Sequence, residues 1–258
     1  MVTRRLRRIF KEDGRSLVVA CDHSAVYGPI KGMANIKETI CQLLDAEVDG
    51  IMAAYGTVRS YPELFAQTGL VLRIDGATSP IATKPGGGDA FYSVEDALRL
   101  GAEAMCVTSF PGTDFEENGW KTLAAICRAG HEWGIPVMAE VMPGGFVAGP
   151  EFRNVETTQL CARIAADTGA DWVKIPYCDG YEKVIETCPV PVVVLGGPTD
   201  PDPAVTLTMV ANGLKAGSAG ATIGRNIWQS KNTYLMAKAI RGLIHENLAL
   251  EDAIAMMR

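Results

Sequence analysis

The strongest constraint on this chain is an alternation that repeats eight times. Short apolar, β-branched runs recur at Leu17–Cys21, Gly50–Ala54, Leu70–Ile74, Ala104–Ser109, Pro136–Val141, Trp172–Ile175, Pro191–Leu195 and Gly220–Ile223. Between and after them lie segments of helical length and period: Met33–Ala46, Tyr61–Gln67, Ser93–Leu100, Gly119–Trp133, Asn154–Thr168, Gly180–Glu186, Pro203–Ala216 and Thr233–Glu246. Most of the runs are continuously apolar, which predicts strands covered on both faces in a parallel sheet. Gly101, Gly134 and Gly169 stand where helix C-caps belong, and Ser93-Val-Glu-Asp96 reads as a capping box. Strict β–α alternation eight times over predicts a closed (β/α)8 TIM barrel. The length of 258 residues suits one such barrel. No linker or charge run divides the chain, so residues 1–258 are read as a single domain.

Composition narrows the partners. The net charge of −6 argues against nucleic acid or an anionic membrane as the main partner. No apolar run reaches the length of a membrane span. The basic start, Met1 to Phe10, is followed by Lys11-Glu-Asp rather than by an apolar signal core, and predicts a short helix closing the bottom of the barrel. The seven cysteines are odd in number, form no Cys-x-x-Cys and fall inside apolar patterns, as reduced thiols of a cytoplasmic protein would.

In a barrel of this kind chemistry gathers where the strands end at their C-termini. There the runs carry Asp22-His23, Tyr55-Gly56 with Arg59 beyond, Glu140, Lys174, Gly196-Gly197-Pro198 and Gly224-Arg225-Asn226. Lys174 sits inside a Trp-Val-Lys-Ile-Pro strand, where an unpaired ammonium is costly. Pointing into the lumen, it would be desolvated and its neutral amine made available to attack a ketone or aldehyde as a Schiff-base nucleophile. The alternative is a lysine snorkelling to a surface ion pair. Gly196-Gly197 and Gly224-Arg225, on adjacent strands, mark the place where many barrels hold a phosphate, with a short helix beginning near Asn226 turned toward the anion. Glycines that merely serve tight turns are the plainer reading.

Asp22 is placed to hydrogen-bond a Schiff-base nitrogen or substrate hydroxyl, to move a proton, or to cap the following loop. His23, on the other side of the strand by alternation, is read as structural. Glu140 is expected in the lumen across from Lys174, as an acid–base group or as the counter-ion of the lysine. His23, His131 and His245 are the only histidines, the last two in helical segments, so no metal site is expected. No phosphate-binding loop or dinucleotide fingerprint is present, and no cofactor is called for.

These residues occur in longer stretches that resemble the DeoC/FbaB class I aldolase superfamily. The stretches are Cys21-Asp-His-Ser-Ala-Val-Tyr-Gly-Pro-Ile-Lys-Gly32, the segment from Ser93 through Glu140, Val173-Lys-Ile-Pro-Tyr177, Cys188 through Gly197, and Gly224-Arg-Asn-Ile-Trp-Gln229. The chain is most similar to the archaeal-type fructose-bisphosphate aldolases and the autoinducer-2-phosphate thiolase branch. The aminodeoxyheptulosonate synthases share the same barrel. The resemblance implies Schiff-base formation at Lys174, the strand-one aspartate at Asp22, and phosphate binding at Gly196, Gly197, Gly224 and Arg225. It also implies assembly into homo-oligomers, often decamers. One departure stands out. The archaeal aldolases place a proton-shuttling tyrosine in Tyr-Pro-Arg-Gly after the fifth strand, where this chain has Met142 in Glu140-Val-Met-Pro-Gly-Gly145. Glu140, Tyr177 or a water takes that part, or the reaction is not fructose-bisphosphate cleavage.

The resulting expectation is a class I aldolase acting on a small phosphorylated ketose or related carbonyl compound. Alternatives are a thiolase- or transaldolase-type transferase on a similar substrate, and a sugar-phosphate-binding barrel without catalysis. Glu140, Met142, Arg59 and the Ile81–Asp89 loop are expected to shape the pocket.

Overall fold

A computed structural model describes residues 4–84, 86–145 and 148–258. Among the described residues there are ten strands: β1 (Ser16–Ala20), β2 (Gly50–Ala53), β3 (Gly69–Arg73), β4 (Asp75–Ala77), β5 (Gly87–Ala90), β6 (Ala104–Ser109), β7 (Val137–Val141), β8 (Trp172–Pro176), β9 (Val192–Leu195) and β10 (Gly220–Ile223). Eight of them, all but β4 and β5, close a parallel barrel in the order β1-β10-β9-β8-β7-β6-β3-β2. Each of the eight expected runs is one of these strands, within a residue or so at either end.

Side-chain alternation divides the barrel residues into two shells. Leu17, Val19, Ile51, Leu70, Leu72, Val173 and Ile175 point outward into the layer shared with the helices. Val18, Ala20, Met52, Val71, Ala104, Cys106, Met138, Trp172 and Val193 fill the lumen. The helix Leu6–Ile9 closes the lower end, as its sequence predicts. Ile9 is fully buried against the lumen cluster, and Phe10 meets Trp172 edge-on with centroids 5.7 Å apart. The lumen is therefore packed below and polar only in its top layer.

Helix boundaries follow local chemistry. Ser93 accepts from the Asp96 amide at 3.2 Å while Asp96 accepts from the Ser93 amide at 3.0 Å, completing the expected capping box. Gly134, at φ 67°, ends the helix Glu116–Trp133 in the left-handed conformation that glycine adopts freely. The expected helix Tyr61–Gln67 is shorter, Pro62–Phe65, and an unexpected helix Tyr55–Ser60 precedes it; the two stay separate because Pro62 lacks the amide needed to continue a helix and starts a new one. The antiparallel hairpin β4–β5 was not expected. Its second strand is Gly87-Gly-Asp-Ala, which has neither the branching nor the alternation that announces a strand, and it is held by pairing with Asp75–Ala77.

The seven cysteines are free thiols, and all but Cys41 are buried. No described helix is long and apolar enough to cross a membrane.

Candidate active site

The two-residue period that puts Trp172 and Met138 at the bottom of the lumen puts Lys174 and Glu140 directly above them. Parallel pairing then sets neighbours: Glu140 of β7 is in register with Lys174 of β8 and with Thr108 of β6. By the same period Asp22 follows Ala20, and Arg73 follows Val71. The top layer of the lumen is thus a ring of polar side chains. It forms the floor of a cavity of about 580 Å³ at the C-terminal ends of the strands.

Lys174 is 4% exposed, and its Nζ donates to Glu140 Oε1. Glu140 therefore sits beside the lysine on the next strand rather than across the lumen. Its other oxygen, Oε2, accepts from Arg73 Nη2 and, at 3.2 Å, from the Thr108 hydroxyl. Arg73 further donates from Nε to Asp22 Oδ2 at 2.6 Å, and from Nη1 to Asp75 Oδ1 at 3.1 Å and to Thr108 Oγ1 at 2.5 Å. One guanidinium therefore joins three carboxylates.

The electrostatics follow from that geometry. Burial alone would raise the Glu140 carboxyl, but the Lys174 and Arg73 cations overcome it and hold it at about 2. Asp22 is likewise pushed up by burial but brought well below the usual carboxylate range, chiefly by Arg73 with help from His23 and Lys174. At Asp75 burial wins, and its carboxyl lies above its ordinary value despite Arg73.

On the adjoining strands, Gly196, Gly197, Gly224, Arg225 and Asn226 line the same cavity. Gly197 has φ 65°, which non-glycine residues rarely adopt. At Gly224 a Cβ would lie 2.6 Å from the Ala20 carbonyl oxygen, so only glycine fits there. The short helix starts at Arg225, and Asn226 lies inside it with its side chain turned back to the β9 loop. Asn226 Nδ2 donates to the Gly196 and Pro198 carbonyls at 2.6 and 3.1 Å, and its Oδ1 accepts from the Asp200 amide at 3.1 Å.

Several expectations need correction. His23 does not turn away from the site. Alternation carries Cys21 outward and Asp22 inward, but the backbone turns helical at His23 (φ −57°, ψ −30°), so it no longer applies there. The His23 ring lines the cavity, with Nδ1 3.4 Å from Asp22 Oδ1 and an edge-on contact to Trp228. Among the described residues the cavity wall includes neither Arg59 nor the exposed Ile81. Arg59 lies over the ring of Tyr55 at 5.9 Å, and it is that ring, stacked on Tyr92, which faces the cavity. Gly76, Ala77, Phe91 and Tyr92, from the hairpin and its exit, take the place expected of the Ile81–Asp89 loop. Tyr177 packs on Tyr181 outside the wall, whereas Met142 is part of it.

Sequence reasoning missed Arg73, Asp75 and Thr108. The signal was present in Leu70-Val-Leu-Arg-Ile-Asp75, where a cation ends an apolar strand much as Lys174 does.

The family model for DeoC/LacD family aldolases matches residues 16–230, a span running from β1 through the helix after β10. The chain belongs to this family of aldolases. Over 251 residues it is 34% identical to a 3-hydroxy-5-phosphonooxypentane-2,4-dione thiolase of Enterobacter sp. strain 638, covering 96% of this chain and 83% of that protein. It is 33% identical to a 2-amino-4,5-dihydroxy-6-oxo-7-(phosphonooxy)heptanoate synthase of Streptomyces griseus, covering 94% and 90% of the two chains. A crystal structure of an archaeal fructose 1,6-bisphosphate aldolase superposes with a TM-score of 0.84 at 30% identity, covering 94% of this chain and 98% of that one. Another structure of an archaeal fructose-1,6-bisphosphate aldolase, with the catalytic lysine covalently bound to the carbinolamine intermediate of the substrate, superposes with a TM-score of 0.82 at the same identity, covering 93% of this chain and 98% of that one. This family member is an enzyme acting on carbon–carbon bonds.

Proposed function

We propose that Lys174 forms a Schiff base with a small phosphorylated ketone or aldehyde, and that the enzyme makes or breaks the carbon–carbon bond beside that carbon. The observation that carries the proposal is the placement of a nearly inaccessible lysine amine on the cavity floor, hydrogen-bonded to a carboxylate. The glycine and arginine rim begins at the end of the next strand, β9, and continues after β10. The floor holds two cations, Arg73 and Lys174, against the carboxylates of Asp22, Asp75 and Glu140, so it does not attract a phosphate. Gly196, Gly197, Gly224 and Arg225 are the part of the wall with backbone amides and a positive charge to offer it.

The protons balance through Glu140. The Lys174 ammonium gives a proton to Glu140 Oε1, and the freed nitrogen lone pair attacks the carbonyl carbon. As the C–N bond forms, the carbonyl π electrons move to oxygen, which takes the proton from Glu140. The nitrogen returns its surplus proton to the carboxylate, giving a carbinolamine. Glu140 then protonates the departing hydroxyl, water leaves, and the nitrogen lone pair closes the C=N bond of the iminium. Glu140 is again a carboxylate. Asp22 is within reach of the same space, as a partner for the iminium nitrogen or a substrate hydroxyl.

Borohydride reduction in the presence of dihydroxyacetone phosphate or fructose 1,6-bisphosphate should add the mass of the reduced substrate fragment at Lys174. Absence of an adduct with every phosphorylated ketone tried would sink the mechanism. Met142 on the wall favours a second form of the same chemistry, in which the fragment is handed to an acceptor instead of being released after protonation. The thiolase relative is consistent with it. Turnover that requires an acceptor would select the transferase form. A homo-oligomer belongs to the same proposal; the exposed Trp133 and Leu160 are apolar side chains it could bury, and light scattering would report it. The buried free thiols are consistent with a cytoplasmic setting.

A further inference from the structure

We infer that Arg73 is a positioning residue for proton transfer at Lys174: it holds Glu140 Oε2 so that Oε1 alone faces the amine. The inference rests on the Schiff-base reading above and extends it to a residue three strands from the lysine around the barrel wall, on the far side of β6 and β7. A carboxylate buried beside one lysine has two ways to accept a proton and can rotate about its last torsion. Here the two oxygens have separate partners. Oε1 receives the Lys174 ammonium, while Oε2 receives the Arg73 guanidinium and the Thr108 hydroxyl. Thr108 is itself held by Arg73: its hydroxyl accepts from Nη1 at 2.5 Å, so its own proton is directed at Glu140. A planar fork that is always charged fixes the carboxylate plane as an ammonium on a flexible stem does not.

Arg73 is in turn held from every side. Asp22, just beyond β1, takes Nε, Asp75 of β4 takes Nη1, and the Met52 sulfur of β2 lies 3.6 Å from Nη2. The Asp75 position is secured by its second oxygen, which accepts from the Thr108 amide at 3.0 Å. This explains why the Asp75 carboxylate and the hairpin strand that carries it stand at the barrel mouth. The charged and titratable groups around Glu140 are accordingly Arg73, Lys174, Asp22 with His23 beside it, Asp75 and the buried Cys106.

The arrangement has a chemical consequence. While Lys174 is an ammonium, two cations hold the Glu140 proton affinity down. When the amine loses its proton, only Arg73 remains, and Glu140 becomes the stronger base needed to carry that proton to the carbinolamine hydroxyl. Arg73 thus limits how far that affinity rises, so that the proton can be released again at dehydration. Without it, Lys174 alone would hold the Glu140 proton affinity down in the free enzyme, and protonation of the carboxylate would set in at higher pH.

The test uses the full-length enzyme with Arg73→Gln, Arg73→Lys and Thr108→Val, each checked for folding by circular dichroism and thermal melting. Two readouts are followed: the pH dependence of kcat/KM and the rate of borohydride trapping at Lys174. The inference expects the acid limb of Arg73→Gln to move upward by about one pH unit or more. Trapping should slow by about tenfold or more, while inhibition by inorganic phosphate stays at the wild-type constant. Arg73→Lys should retain the position of the acid limb better than its trapping rate, since it keeps the charge and loses the fork. Thr108→Val, which removes no charge, should slow trapping without moving the limb. In Arg73→Ala, added guanidinium ion should restore part of the rate. A folded Arg73→Gln enzyme with wild-type limb and trapping rate would overturn the inference. Failure of the wild-type enzyme to trap any phosphorylated ketone would overturn the Schiff-base reading itself, and the two results are told apart by the wild-type control.

Discussion

Asn226→Ala provides the sharpest check on the rim as the place where phosphate is held. The side chain is 6% exposed and makes three hydrogen bonds, two to the carbonyls of Gly196 and Pro198 and one from the amide of Asp200. It is the buried tie between the loop after β9 and the helix after β10, the two pieces of backbone that carry the proposed cradle; the exposed Thr199–Gln229 bond at 3.4 Å is a weaker second one. Each neutral buried bond contributes about 1 kcal/mol net, so about 3 kcal/mol of loop-holding energy goes with the side chain. The loop lies at the barrel mouth, so most of this loss is local: the 196–202 segment opens while the barrel stays closed. Binding must then restore the order, and at about 1.4 kcal/mol per tenfold the penalty corresponds to KM rising by up to ~100-fold. Water entering the vacated site lowers that to about tenfold. Neither Lys174 nor Glu140 is touched, so kcat should stay within a few-fold and the borohydride adduct should form at saturating substrate. The assay is a steady-state KM and kcat pair, with inorganic phosphate as competitive inhibitor. An unchanged KM and phosphate constant in folded Asn226→Ala would refute the reasoning, as would a fall in kcat with KM preserved.

Other outcomes follow from the same geometry. Glu140→Gln removes the acceptor for the Lys174 proton while keeping the shape, so the pre-steady-state rate of adduct formation should fall by about 10²–10⁴-fold; a wild-type rate would show that water serves instead. Lys174→Ala should abolish both turnover and the borohydride adduct while phosphate inhibition persists. At the bottom of the barrel, burial works against the His245 imidazolium, but hydrogen bonds to Asp49 and Asp13, each at 2.7 Å, raise its proton affinity above the ordinary value. The folded-state value is the higher one. The stabilisation is therefore complete below about pH 6.5 and lost as pH rises through the raised value. Melting temperatures of wild type and His245→Gln should converge as the solution is made alkaline; parallel curves would contradict this. Trp172→Ala, emptying a fully buried site above Phe10, should cost about 3–5 kcal/mol in urea unfolding.

Much of this architecture is legible in the sequence. Eight apolar runs with helical segments between them determine a closed parallel barrel, because a run apolar on both faces has no stable place except between a filled lumen and a layer of helices. Lys174 was legible because an ammonium inside Trp-Val-Lys-Ile-Pro contradicts its surroundings, and the glycine rim because two Gly-rich turns follow neighbouring strands. Arg73 carried the same signal at the end of β3, but a cation in the last residue of a strand reads equally well as a solvated end. Only closure of the barrel decides that it points inward, where Asp22, Asp75 and Glu140 meet it. His23 escapes the alternation rule because that rule holds only while the chain is extended, and the backbone is already helical at His23. Glu140 was expected across the lumen from Lys174, yet the pairing of β7 with β8 puts them side by side. A chain's own sequence states which faces are apolar and which residues are out of place. Register between strands, far apart in sequence, decides which of those residues touch, and here that turns isolated charges into one hydrogen-bonded site.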